Sequence, residues 1–265
     1  MTLQTVTSKD GTPITFERSG EGPTIILVGG AIQYRAIDPQ TTQLAAFLAQ
    51  DFTVFHYDRR GRGDSGDTLP YAVEREIDDL EALIDEAGGS AFVFGMSSGA
   101  ALALQAAIRL GYKIKKLALY EAPYNSETSA RHAYQEYTKQ LQEVLAAGRR
   151  GDAVALFLKL AGMPAGQIEG MRHAEMWPMF EAVAPTLAYD AAVMGQDASV
   201  PTELASRVAV PTLVMDGGAS DAFMHNTATS LAKAIPQAQH RTLAGQAHNV
   251  DMDVLAPVLA EFFAA

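Results

Sequence analysis

The feature that most constrains this chain is a rhythm of short apolar runs alternating with helical segments. Thr24–Val28 is a continuous apolar run followed by Gly29-Gly30, and Thr53–Tyr57, Ala91–Phe94 and Lys116–Tyr120 repeat the type. Runs without polar alternation suit strands covered on both faces. Helical patterns at about Gln40–Ala49, Ala72–Glu86 and Ser98–Leu110 lie between them. Such alternation implies βαβ units and a mostly parallel sheet with helices on both faces, an α/β fold. Leu3–Thr7 and Ile14–Arg18, separated by Asp10-Gly11, predict a hairpin that adds antiparallel strands at one edge.

From about Tyr124 to Val200 the rhythm stops. Ser126–Ala147, Asp152–Leu160, Glu175–Val183 and Leu187–Met194 read as helices, punctuated by Pro164, Pro178 and Pro185 and by Gly162, Gly166 and Gly170. The strand rhythm resumes at Thr212–Met215 and His240–Leu243, with helices at about Thr227–Ala234 and Val254–Phe263. The expected organisation is a core of residues 1–123 and 201–265 with an all-helical insertion at 124–200.

Gly95-Met96-Ser97-Ser98-Gly99 sits between the strand ending at Phe94 and the helix opening at Ser98. A sharp strand-to-helix turn holds a serine in a strained conformation with its hydroxyl beyond the sheet's carboxyl end, and flanking glycines remove side chains that would clash. Ser97 is the candidate nucleophile. A serine hydroxyl needs a base. Of six histidines, His248 lies in the loop after the last strand, where it can reach Ser97; His56, His132, His173 and His240 fall in strands or in the insertion, and His225 at a helix start is a weaker rival.

The base needs an orienting carboxylate. The loop Asp216-Gly217-Gly218-Ala219-Ser220-Asp221 offers Asp221, favoured for its Gly-x-x-Asp spacing, then Asp216; Glu121, just past Tyr120, is an outside candidate. For an oxyanion, one donor is expected from the Ser98 N–H and a second from Ala31, with Gly30 next, in the loop after Val28.

These residues resemble the α/β-hydrolase family. The order Ser97, Asp221, His248 matches its nucleophile–acid–base order; Asp58-Arg59-Arg60-Gly61-Arg62-Gly63-Asp64-Ser65 resembles its Asp-x-Arg-Gly-x-Gly-x-Ser turn; Pro211-Thr212-Leu213-Val214-Met215 resembles the strand leading to its acid. The resemblance makes the helical insertion a cap over the site. Two departures stand out: Gly29-Gly30 replaces the frequent His-Gly, and the acid loop is one residue longer than the commonest spacing.

The resemblance implies a serine hydrolase cleaving a small carboxylic ester or lactone through an acyl-enzyme, and the Met and aromatic content of the insertion makes a hydrophobic one the expectation. A C–C hydrolase or lyase, a perhydrolase, or a ligand receptor with vestigial hydrolysis are the alternatives. A serine nucleophile argues against the epoxide hydrolase and haloalkane dehalogenase branches, which use a carboxylate. Trp177, Met176, Met179 and Phe180 form the densest apolar cluster of the insertion and are candidates to line the pocket.

Several other classes are disfavoured. With no cysteine, thiolate catalysis and Fe–S clusters are impossible. Lys and Arg number 20 against 31 Asp and Glu, a net charge of −11 that repels nucleic acid and anionic membranes, leaving a small-molecule substrate as the expected partner. No basic segment followed by an apolar one marks the N-terminus, so a cytoplasmic protein is expected. Gly61-Arg62-Gly63-Asp64-Ser65-Gly66 fits Gly-x-Gly-x-x-Gly, but Asp67–Pro70 delays the next helix, which a dinucleotide site does not tolerate. The arginines there, interleaved with Asp58, Asp64 and Asp67, read as a self-paired turn. No metal-ligand spacing appears, and no cofactor is expected.

Overall fold

The computed structural model describes residues 2–265. Strands β1 (Thr2–Thr7) and β2 (Pro13–Ser19) form the expected hairpin, and Gly11, at φ +88°, takes the left-handed position of its turn. Then follow β3 (Thr24–Val28), α1 (Pro39–Leu48), β4 (Thr53–Tyr57), α2 (Val73–Glu86), β5 (Ala91–Met96), α3 (Ser98–Leu110) and β6 (Ile114–Tyr120). Helices α4 (Thr128–Ala146), α5 (Arg150–Leu160), α6 (Ala165–Met171), α7 (Trp177–Val183), α8 (Leu187–Met194) and α9 (Thr202–Ala205) precede β7 (Thr212–Gly217). The chain closes with α10 (Ala222–Ala234), β8 (Ala238–Leu243) and α11 (Met252–Ala264). The eight strands form one sheet in the order β1-β2-β4-β3-β5-β6-β7-β8. β2 runs antiparallel to both β1 and β4, and every other pairing is parallel.

The apolar strands owe their continuity to burial on both faces. In β3, Ile26 and Val28 join a core with Leu80 and Leu83 of α2 and Leu104 of α3. Their neighbours Ile25 and Leu27 join a second core with Leu44 and Leu48 of α1 and Leu255 and Leu259 of α11. Each such side chain, fully removed from water, stabilises the fold by roughly 1.5–3 kcal/mol.

Among the described residues no strand lies between β6 and β7, as the sequence suggests. The insertion has no separate core: Tyr134, Leu141, Val154, Leu187 and Val193 belong to the same apolar cluster as Leu80 and Leu104. The sequence reading missed α6. Its glycines, Gly166 and Gly170, looked like punctuation, but Pro164 starts the helix from an extended conformation and Ile168 anchors it in the core.

The arginine-rich turn departs from expectation. Arg59, Arg60 and Arg62 are buried and pair with other elements rather than with Asp58, Asp64 or Asp67. Arg59 Nε and Nη2 meet Glu76 of α2 at 2.7 and 2.8 Å, and Arg60 Nε and Nη2 meet Asp79 at 2.8 and 2.6 Å. A buried guanidinium needs a carboxylate, and those of Asp58 and Asp64 are taken by the Arg35 guanidinium at 3.0 and 2.8 Å. Asp58 instead accepts the Arg35 and Asp64 N–H groups at 2.8 and 2.9 Å and shapes the turn.

Candidate active site

Ser97 occupies the bend between β5 and α3 at φ +56°, ψ −129°, a conformation rare for any residue but glycine. Close packing over-determines it. A Cβ on Gly99 would fall on the carbonyl oxygens of Val28 and Gly29, and one on Gly95 would fall on the start of α3. Ser97 N–H is held by the Tyr120 carbonyl at 3.0 Å, so β5 and β6 end at the same height. The side chain is half-buried, and Ser97 Oγ makes no hydrogen bond among the described residues.

That register brings a carboxylate to His248. Met96 pairs with Tyr120, so Glu121 follows β6 at the position that Ser97 takes after β5. Glu121 Oε2 lies 2.8 Å from His248 Nδ1. Its other oxygen accepts the Gly217 N–H at 2.8 Å and the Ser220 hydroxyl at 2.5 Å, and its side chain is fully buried. Burial alone would raise this carboxyl's pKa; the bonds from His248, Ser220 and Gly217 outweigh it and hold the group below its ordinary range. Tyr120 OH donates to the Ala247 carbonyl at 2.6 Å and steadies the histidine loop.

The expected partners of His248 lie elsewhere. Asp221 is exposed at the N-terminus of α10, with no side-chain bond to His248. The chain turns outward at Gly218–Ser220 before reaching it, and its side chain makes no capping hydrogen bond to α10. Asp216 is fully buried, but its oxygens face His225 Nδ1 at 3.0 Å, His240 Nε2 at 2.6 Å and Thr242 Oγ1 at 3.0 Å. Asp216, His225 and His240 converge from β7, α10 and β8, and such a set could ligate a divalent cation; their present separations are those of hydrogen bonds.

The loop after β3 approaches Ser97 closely. A Cβ at Gly30 would lie 2.9 Å from Ser97 Cβ, so only glycine fits without displacement. The Gly30 N–H already donates to Gln33 Oε1 at 2.5 Å, which leaves Ala31 as the loop candidate with an unpaired N–H. Among the described residues, the N–H groups of Ala31 and Ser98 have no hydrogen-bond partner. Two backbone donors are thus open beside Ser97, one at the start of α3 and one on the facing loop.

Of the candidate pocket residues, Trp177 is buried inside the insertion. Its indole N–H donates to Glu181 at 3.0 Å and its ring lies 5.4 Å from the Arg172 guanidinium. Met176 and Met179 are exposed, and Phe180 packs against the core. A buried indole N–H needs an acceptor, and the half-buried Glu181 one turn on supplies it.

The sequence matches the profile of the Alpha/beta hydrolase family over residues 25–259. This chain belongs to the α/β-hydrolase family. An alpha/beta hydrolase from Sphaerobacter thermophilus DSM 20745 is 55% identical, with 98% of this chain and all of that one covered at a TM-score of 0.87. A thermophilic esterase from Thermogutta terrifontis, 22% identical with 100% and 98% covered, shares the fold at a TM-score of 0.72. A Bacillus subtilis protein named uncharacterized hydrolase YraK is 36% identical over 103 residues, so the match spans 37% of each chain. The chain is therefore a hydrolase of this fold. No described helix is long and apolar enough to cross a membrane.

Proposed function

We propose that this α/β hydrolase cleaves a small neutral carboxylic ester through an acyl-enzyme on Ser97. The observation that carries the reading is the His248–Glu121 hydrogen bond, with Glu121 following β6 at the position that the strained Ser97, flanked by two unpaired N–H groups, takes after β5. Glu121, ionised, fixes the His248 proton on Nδ1 and leaves Nε2 as base. His248 takes the Ser97 proton as Oγ attacks the carbonyl, and the tetrahedral oxyanion accepts the N–H groups of Ser98 and Ala31. The imidazolium returns its proton to the leaving alcohol. Water, deprotonated by His248, then releases the acid. In this reading the Ser97–His248 hydrogen bond closes on substrate binding, as catalytic hydrogen bonds often do.

Glu121 replaces Asp221 in this assignment and preserves the chain order nucleophile, acid, base. The Thermogutta terrifontis neighbour that shares this fold is an esterase, in keeping with the reaction class. Sustained turnover of p-nitrophenyl acetate and butyrate, lost in Ser97→Ala, tests the proposal. Release of a single equivalent of nitrophenol, with no further turnover, would instead favour the receptor reading.

A further inference from the structure

Asp190 is a buried carboxylate that the mechanism above does not use. It belongs to α8 of the insertion and is 6% exposed. Its Oδ1 accepts Arg59 Nη1 at 2.7 Å and Ser98 Oγ at 2.8 Å, and its Oδ2 accepts Arg62 Nη2 at 2.7 Å. Burying a charge for adhesion alone is poor economy, because apolar side chains of similar volume hold two layers together at least as well.

Both arginines reach the loop that faces Ser97. Arg62 Nη1 donates to the Gly30 carbonyl at 2.5 Å and to the Gln33 carbonyl at 3.3 Å, and Arg59 Nη1 donates to the Gly29 carbonyl at 3.3 Å. The Gly30 carbonyl and the Ala31 N–H belong to one planar peptide, so gripping the oxygen aims the N–H in the opposite direction. A cation on the carbonyl also polarises that peptide and strengthens its N–H as a donor. On the other side, Ser98 carries the second unpaired N–H, and its side chain is tied to the same Asp190 oxygen as Arg59. Arg59 and Arg62 are balanced by Glu76 and Asp190, so Asp190 also keeps the two guanidiniums from repelling each other out of place.

We infer that Asp190 is a positioning residue: a carboxylate supplied by the helical insertion that fixes the Ser98 and Ala31 N–H groups relative to each other. The insertion is then part of the catalytic scaffold as well as a cover. This rests on the ester-hydrolase reading above.

The test compares wild type with Asp190→Asn and with the milder Ser98→Ala, which removes one bond to Asp190 and keeps the backbone N–H. For each, kcat and KM on p-nitrophenyl acetate are measured beside inhibition by phenylboronic acid, whose tetrahedral serine adduct needs the oxyanion donors. In Asp190→Asn that is folded by circular dichroism, kcat falls by about 10- to 100-fold, KM stays within about threefold, and boronate binding weakens in proportion to kcat/KM. Ser98→Ala shows the same pattern at about 3- to 10-fold. A role limited to adhesion would lower the melting temperature and leave kcat and boronate binding of the folded enzyme intact, and that result overturns the inference. If Asp190→Asn does not fold, Ser98→Ala decides alone: unchanged kcat and boronate binding there also overturn it. A wild type that neither turns over the ester nor binds the boronate overturns the ester-hydrolase reading, and this inference with it.

Discussion

Replacing Glu121 with Gln tests the acid assignment most sharply. In the native site one oxygen faces His248 Nδ1 at 2.8 Å, and the other accepts the Gly217 N–H and the Ser220 hydroxyl. Gln keeps the second set of contacts, because its amide oxygen can accept both. The atom facing His248 then becomes an NH₂ donor. His248 must accept at Nδ1, its proton moves to Nε2, and the atom that should take the Ser97 proton is already protonated. Loss of the productive tautomer costs up to about 10⁴ in kcat, equivalent to roughly 5.5 kcal/mol of transition-state stabilisation. KM changes little, since Glu121 is expected to contact no substrate atom. Steady-state kinetics on p-nitrophenyl acetate would be run on wild type, Glu121→Gln, Asp221→Asn and Asp216→Asn, each shown folded by circular dichroism. The two aspartate variants should retain kcat within about threefold. A Glu121→Gln enzyme with more than a tenth of wild-type kcat, or an Asp221→Asn enzyme as damaged as Glu121→Gln, would refute the assignment.

Three further outcomes follow from the same geometry. His56, buried in β4, has its pKa lowered to about 4, chiefly by desolvation. Its unfolded form binds a proton near pH 6.5 and the folded form does not, so stability present above that pH is lost as pH falls toward 4, by about 3 kcal/mol if fully expressed. Urea unfolding of wild type and His56→Gln from pH 7 to 4.5 should show a shallower fall in the variant; parallel curves would count against the idea. Gly30→Ala forces a methyl to within 2.9 Å of Ser97 Cβ, so kcat should drop at least tenfold in a protein that still melts cooperatively, and unchanged kinetics would mean the loop yields freely. The net charge of −11 should favour neutral esters over matched esters bearing a carboxylate, with added salt narrowing the gap; a preference for the anionic series would reverse that expectation.

The parts legible in the sequence were those encoded locally. A strand covered on both faces carries an apolar run without regular polar alternation, so Thr24–Val28 and Thr53–Tyr57 identify themselves despite His56, and the Gly95–Gly99 bend identifies itself by its place between strand and helix. What escaped depends on contacts distant in sequence. Glu121 meets His248 across 127 positions, and the cue was subtle: it stands one residue past β6, as Ser97 stands one residue past β5. Asp221 looked right because its spacing resembled a familiar pattern, but backbone direction after Gly217 takes it away. Arg62 and Asp190 lie 128 positions apart, and no local pattern could announce that the turn's arginines are buried against the insertion. Trp177 misled for the opposite reason, since a large apolar residue in a cover is as useful packing its own helices as lining a site.

The proposed mechanism requires Ser97 to be an activated nucleophile. Incubation with a fluorophosphonate, followed by intact-mass and peptide mass spectrometry, tests it directly. One adduct per chain is expected, on the peptide containing Ser97, and none in Ser97→Ala. An adduct that persists in Ser97→Ala, or a folded, ester-hydrolysing wild type that takes up no label, would contradict it.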